Sequence, residues 1–321
     1  MATFILLSTL CLQDVTPTGF VELNVPFSPR EPHVLVDRDN NIWYQSYWDH
    51  SIYKLDNKGV EIFRITGPGN GPGEIHKPQG FALVNNDKWI LVSHHQFIVS
   101  LFDSQTGKFI KDIIRDFPLA RLFGWDNQFA LALVDPAALM FDGFELINFR
   151  TGEIGKKWFK LSESRTHVST SNMAFAKRKD HTIYYQPGAL PEVYVVKPFQ
   201  NEPQIWPLLP PPNYVEPPKD PLPESARYSR EKVDAYYNSF TKVKAFTIID
   251  DTYLLVCWTI QQAHYYQLYD LKEQKILKKD IPIKGLLVRS LSDTLYSLER
   301  IDPDDFDAEP KDLLHSYEIN F

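Results

Sequence analysis

The sequence predicts an all-β chain, a six-bladed β-propeller, and three observations predict it. A run of alternating apolar residues, a polar turn and a second apolar run recur six times, about 40 to 50 residues apart outside one insertion. A repeat of that length, built from strands rather than helices, forms one four-stranded blade per copy. The two chain ends are also complementary: the sixth copy runs out of chain after its third strand, and an unassigned strand precedes the first copy.

The first strand pair of each blade is read from Val34–Ser46, Phe81–Ser93, Arg121–Leu133, Met173–Gln186, Lys244–Trp258 and Leu286–Glu299. Asp and Asn gather between the apolar halves, and both tolerate the positive φ of a tight hairpin. The second pair follows, as in Ile52–Leu55 and Val60–Ile65 around Asp56-Asn57-Lys58-Gly59, or Phe97–Phe102 and Lys108–Ile113 around Asp103–Gly107. Leu139–Ile147 with Glu153–Phe159 and Tyr265–Tyr269 with Lys275–Ile281 repeat the scheme; Val193–Val196 with Ile205–Leu208 is a poorer pair. His315–Phe321 is the last strand of the sixth copy, so Gly19–Val25 (GFVELNV) is expected to lie beside it and close the ring. Closure covers a strand edge that would otherwise invite aggregation.

The insertion, residues 207–242, lies between blades four and five. Its proline-dense half, 207–223, has fixed φ and few amide donors, so an extended polyproline strap over the surface is expected. Ser229–Phe240 then reads as a short helix, with Ser229 as its cap and Val233, Tyr236, Tyr237 and Phe240 on one stripe. Strap and helix would either lid the central pocket or pack on the rim. Residues 15–321 are thus one propeller, with 1–14 read as a signal or anchor remnant.

Composition narrows the function classes. Lys plus Arg minus Asp plus Glu gives 34 − 41 = −7, which disfavours nucleic acid as a partner. Two cysteines make no disulfide framework, and Cys257 within an apolar strand reads as a small buried hydrophobe. Residues 4–12 (FILLSTLCL) are too short to span a bilayer, but suit the core of an export signal that lacks its basic start. Cys11 after Leu-Ser-Thr-Leu resembles a bacterial lipoprotein signal, although Leu10 stands where that signal has a small residue. An N-terminal strand of a cytosolic protein is the alternative.

Gly67–Pro78 (GPGNGPGEIHKP) is the most distinctive segment. Its four glycines leave backbone N–H groups free for an anion or a neighbouring blade, but no Gly-Lys-Ser/Thr follows to make a P-loop. Together with the wording of Asp37–Trp43 and Ile52–Gly59, this G-x-G-x-G-P-G-E segment resembles six-bladed propellers found widely among exported bacterial proteins, related in architecture to NHL-repeat propellers. Ile75 replaces the more usual Phe. The resemblance implies a six-bladed ring and a periplasmic or envelope location. It carries no shared catalytic residues.

Loops joining one blade to the next, and second strands to third, share one face, which is expected to carry binding because loops escape the packing of strands. The candidate contacts there are Trp48, His50, Glu74, His94, His95 and Tyr237. Trp43, Tyr44, Tyr47 and Trp48 form an aromatic hairpin that suits either a sugar or peptide platform or packing between blades. His50, His94 and His95, with His76 and Glu74 between, are the one metal-ligand constellation, against a reading as ordinary loop residues. The acidic run Asp302–Asp312 lacks EF-hand spacing and reads as a solvated loop. No nucleophile motif is present, so no catalytic residue and no cofactor is assigned. The leading reading is a non-catalytic envelope protein that recognises a small molecule, glycan or peptide, without a transmembrane span. A metal-dependent hydrolase, lactonase or lyase is the alternative, and a pure assembly scaffold, acting through outer blade edges or the strap, is a third. The fold alone does not choose between them.

Overall fold

The computed structural model describes residues 14–26, 33–67, 69, 71–94, 97–115, 119–134, 143–158, 174–186, 190–200, 202–218, 229–260, 263–291, 294–301 and 310–320. It is a six-bladed β-propeller. Blade one is β2 (Val34–Val36), β3 (Ile42–Ser46), β4 (Ser51–Leu55) and β5 (Glu61–Ile65), and blade two is β6 (Gly80–Val84), β7 (Trp89–His94), β8 (Ile98–Asp103) and β9 (Phe109–Ile114). Blade three is β10 (Leu119–Gly124), β11 (Phe129–Val134), β12 (Gly143–Asn148) and β13 (Ile154–Trp158), and blade four is β14 (Ala174–Lys177), β15 (Ile183–Gln186), β16 (Glu192–Val196) and β17 (Gln204–Pro207). Helix α1 (Arg230–Asn238) precedes blade five, made of β18 (Lys242–Ile249), β19 (Tyr253–Ile260), β20 (Ala263–Asp270) and β21 (Lys275–Lys279). Blade six takes β22 (Leu286–Ser290), β23 (Leu295–Ile301) and β24 (Lys311–Asn320) from the end of the chain and β1 (Asp14–Glu22) from its start.

The ring closes as expected in principle but with a shifted strand. β1 pairs antiparallel with β24, Phe20 opposite His315, and it begins at Asp14 and ends at Glu22 rather than covering Gly19–Val25. Pro17 explains the difference. Proline is excluded from central strands but fits an outermost one, and here a register irregularity between Pro17 and Gly19 absorbs it. The inner strands of blades one and six also pair in parallel, Leu35 with Arg289 and Val36 with Ser290.

Alternation along each strand sends successive side chains to opposite neighbours. Val34 and Val36 pack against Val288 and Leu298 of blade six, whereas Leu35 packs with Phe81 and Leu83 of blade two. The same division produces six hydrophobic clusters among the described residues, one at each seam between blades. Cys257 is fully buried in the seam between blades five and six, as its apolar strand implied.

Asp37 shows how the repeat's polar residues hold its turns. Oδ1 accepts the amides of Asp39 (3.0 Å) and Asn41 (2.8 Å), and Oδ2 accepts the Asn41 side-chain amide (3.0 Å) and the Trp43 indole N–H (3.1 Å). One buried carboxylate therefore fixes both the hairpin and the first large core side chain. Asp37→Ala is expected to lower unfolding free energy by about 1–3 kcal/mol, measured by urea denaturation, because it strands buried donors. An unchanged midpoint would show that water replaces the carboxylate.

One expectation on the loops is corrected. Asp312, read as part of a solvated acidic loop, is the second residue of β24 and is buried. It accepts a bidentate pair of bonds from Arg300 (2.9 and 3.0 Å) and the Tyr44 hydroxyl (3.0 Å), which ties blade six to blade one. Residues 302–309 lie outside the described residues. The helix forms where expected, capped by Ser229, whose hydroxyl accepts the Lys232 amide. The described part of the strap is bound to the ring: Val215 and Thr241 exchange hydrogen bonds (2.8 and 3.0 Å), and Tyr214 stands edge-on to Trp258.

Candidate functional site

The C-terminal ends of the inner strands converge on the ring axis and leave a cavity of about 380 Å³. Its lining draws on all six blades. Leu83 and Val84 of blade two, Phe175 and Ala176 of blade four, Phe246 and Ile248 of blade five and Leu291 of blade six are its apolar part. The hairpin turns after these strands form a polar mouth: Arg38, Asn85–Asp87, Trp125–Asn127, Lys177–Lys179 and Ser290. The inner strands approach closely here. A Cβ on Gly124 would stand 2.5 Å from the Leu83 carbonyl oxygen, so only glycine fits beside blade two.

The mouth is held by side chains that cross between blades. Arg38 donates its backbone N–H to Asp87 Oδ2 (3.3 Å) and a guanidinium N–H to Asn86 Oδ1 (3.2 Å). Asn85, Asn86 and Asp87 all have left-handed backbone, with φ of 53°, 54° and 65°. Asn and Asp are the side chains that bear this conformation best, yet three in succession store strain, which tends to collect at ligand sites. Across the mouth, Arg178 pairs with Asp251 of blade five (3.2 Å) and Lys177 Nζ donates to the Trp125 carbonyl (3.2 Å). Trp125 stacks on His181, with ring centroids 4.4 Å apart. Burial raises the Asp87 carboxyl above the usual carboxylate range, although Arg38 opposes the shift.

This mouth opens on the face opposite the one expected to bind. It is formed by the short turns between first and second strands, which read from sequence as hairpins only. The signal was present as Lys177-Arg178-Lys179, a basic triplet at a turn where other blades carry Asp and Asn.

The six expected contacts lie elsewhere and in mixed settings. Trp48 is 70 % exposed beside the left-handed His50 (φ 56°), whose ring lies 5.4 Å from that of His76. Glu74 serves its own loop: Oε2 accepts the Gly71 N–H (2.8 Å), and a Cβ on Gly69 would lie 1.9 Å from that oxygen. Carboxylate and glycine thus specify each other. Next to Glu74, Ile75 is fully buried between blades one and two. His94, expected in a loop, is the last residue of β7 and only 3 % exposed. Its Nδ1 accepts the His76 amide (3.4 Å), so Nε2 donates to Ser100 Oγ (2.7 Å), which donates to Asp112 (2.5 Å). Serine rather than histidine stands in the middle of this chain, the wrong order for a nucleophile–base–acid relay. Tyr237, on α1, packs against Tyr236 and against Phe240 just beyond the helix, and Lys242 lies over its ring. His95 lies outside the described residues. Trp43 and Tyr44 are core residues, which leaves Trp48 as the exposed ring of the aromatic hairpin.

A family model described as a six-bladed β-propeller matches residues 30–283 of the chain. The chain belongs to the DUF5128 family of six-bladed β-propellers. Its fold is similar to that of a Bacteroides fragilis NCTC 9343 protein described as exported, at 13 % identity and TM-score 0.63, with 96 % of each chain covered. It is also similar to a member of the DUF4221 family from Bacteroides vulgatus, at 12 % identity and TM-score 0.67, covering 96 % of this chain and 99 % of that one. A catalytically inactive virginiamycin B lyase from Staphylococcus aureus, solved with quinupristin, matches at 13 % identity and TM-score 0.54, over 94 % and 95 % of the two chains. Identities this low establish shared fold alone. No curated protein matches the chain in sequence.

In this DUF5128 propeller, no three His, Cys, Asp or Glu side chains gather to hold a metal ion among the described residues. No helix among them is long and apolar enough to cross a membrane. Behind the lining residue Trp125, burial and then Lys177 hold the His181 imidazole below its ordinary pKa of 6.5, against the opposing charges of Asp126 and Asp180. A depressed folded pKa means that the unfolded chain takes up the proton first as pH falls. The stability contributed by neutral His181 is therefore complete above the ordinary imidazole pKa and is lost as pH drops through the folded value. Asparagine suits the left-handed backbone of this position (φ 66°), so His181→Asn is expected to flatten stability against pH between about 7 and 5. Identical slopes for the two proteins would rule this out.

Proposed function

We propose that this propeller is a non-catalytic binding protein of the exported bacterial type, and that it takes a small molecule, a glycan or the end of a peptide into the axial cavity. The observation that carries the reading is the cavity itself: about 380 Å³, with apolar inner-strand side chains beside many polar groups from turns far apart in sequence. That combination suits a small ligand, with apolar walls for affinity and a few polar groups for orientation. The strained Asn85–Asp87 turn at its lip supports the same reading. Export is supported by the apolar run 4–12 and by the similarity to an exported Bacteroides fragilis protein.

The test is a thermal-shift screen of sugars, sugar acids and short peptides against the protein and Thr247→Phe, which places a ring on the cavity lining. A ligand at a hundred times its Kd is expected to stabilise the protein by about 2.7 kcal/mol and the variant hardly at all. Equal stabilisation of both would move the site out of the cavity.

A metal-dependent enzyme is the second reading, favoured by His50, whose Nδ1 is buried without a hydrogen-bond partner and whose ring faces His76. It predicts stoichiometric metal in protein purified without chelator; the binding reading predicts less than about a tenth of an equivalent.

A further inference from the structure

The cavity mouth carries a charge pattern that narrows the ligand, and the inference drawn from it rests on the cavity being the ligand site. The chain carries −7 overall, yet the lining holds Arg38, Lys177, Arg178 and Lys179 against Asp87 and Asp126, four cations to two carboxylates. Both carboxylates are engaged. Asp126 Oδ1 accepts the amides of Gln128 (2.7 Å) and Phe129 (2.8 Å), and Asp87 faces Arg38. Arg178 is itself held by Asp251 and Asp180. Lys179 is different. Its backbone N–H donates to Asp251 Oδ1 (2.9 Å), which anchors the main chain, while its side chain is exposed and has no ion-pair partner among the described residues.

Three further lining residues, Asn85, Asn127 and Thr247, have side-chain amides or a hydroxyl without a hydrogen bond among the described residues. Each such group both donates and accepts, which matches the hydroxyls of a polyol. An exposed ammonium on this anchored main chain matches an anionic substituent, since charge-assisted bonds are the strongest available at a solvated mouth. Leu83, Phe175 and Ile248 behind them suit the C–H face of a sugar ring.

We propose that the axial cavity binds a small anionic polyol, a sugar acid or a sugar phosphate, with Lys179 pairing its anionic group and Asn85, Asn127 and Thr247 engaging its hydroxyls. Calorimetry on the full chain, with glucuronate, glucose 6-phosphate, glucose and inorganic phosphate as probes, tests this directly. The Trp125 indole N–H resonance, identified through Trp125→Phe, reports whether a probe enters the mouth. One or both sugar anions are expected to bind at least about tenfold more tightly than glucose or phosphate alone, to shift that resonance, and to weaken at high salt. The sugar anion that binds more tightly identifies carboxylate or phosphate as the natural group. Lys179→Gln is expected to remove the tenfold preference without changing the melting temperature of the free protein, and Lys179→Arg to retain it. If glucose shifts the Trp125 resonance as strongly as the sugar anions do, the cavity reading stands and the anion assignment is overturned. If no probe shifts it up to about 50 mM, well above the weakest affinity of interest, both are overturned.

Discussion

Glu145→Ala is expected to cost about 3–5 kcal/mol of stability, the largest loss from any single substitution considered for this protein. Glu145 on β12 and Arg115 just after β9 form an ion pair between blades three and two, and both side chains are wholly shielded from solvent. Their mutual attraction offsets a large desolvation cost, so removing Glu145 takes a carboxylate away from a guanidinium that stays buried. The double variant Arg115→Met/Glu145→Leu removes both charges at similar volume and is expected to lie within about 1–2 kcal/mol of the parent, or above it. Urea denaturation with unchanged m-values measures both. A single variant that loses less than about 1 kcal/mol would show that water reaches the pair.

Deleting residues 1–25 is expected to abolish cooperative unfolding, whereas deleting 1–13 leaves it intact. The longer deletion removes all of β1 and with it Val15, buried in the seam between blades five and six, and Leu23, buried in the seam between six and one. Two fully buried aliphatic side chains stabilise by about 3–6 kcal/mol in all, comparable with the whole stability of a domain, before the lost β1–β24 pairing is counted. The bared edge of β24 should also cause self-association. A synthetic peptide covering 14–25, added in trans, is expected to restore a calorimetric transition to the longer deletion. Like melting curves for the two truncations would sink the closure scheme.

The blades were legible because their information is local. Alternating apolar residues and Asp–Asn turns specify a hairpin within a dozen positions, and Asp37 with Asn41 and Trp43 shows the turn and the core being set by neighbours in sequence. Boundaries failed where tertiary position changed the meaning of a residue. The closing strand was expected at Gly19–Val25, but it starts at Asp14 and carries Pro17 on an outer edge; Asp312 looked like solvated acid and is neutralised by Arg300. His94 looked like a loop ligand, and its burial follows from the Ser100 hydroxyl supplied by β8. The cavity was illegible for a different reason. Arg38, Asn85, Lys179 and Leu291 meet only because the ring brings six separate turns to its axis, and no spacing in the chain encodes that meeting.

The pairing of Asp14 with Asn320 sets a handling rule for any assay. Strand directions put both of these residues on the side of the ring where the cavity opens. Capturing the molecule on a solid support through a site at Asp14 or Asn320 would press its opening against the matrix, so affinity measured on a sensor chip should fall below that measured free in solution. Attachment through an engineered cysteine near Trp48, on the far side, would present the opening outward.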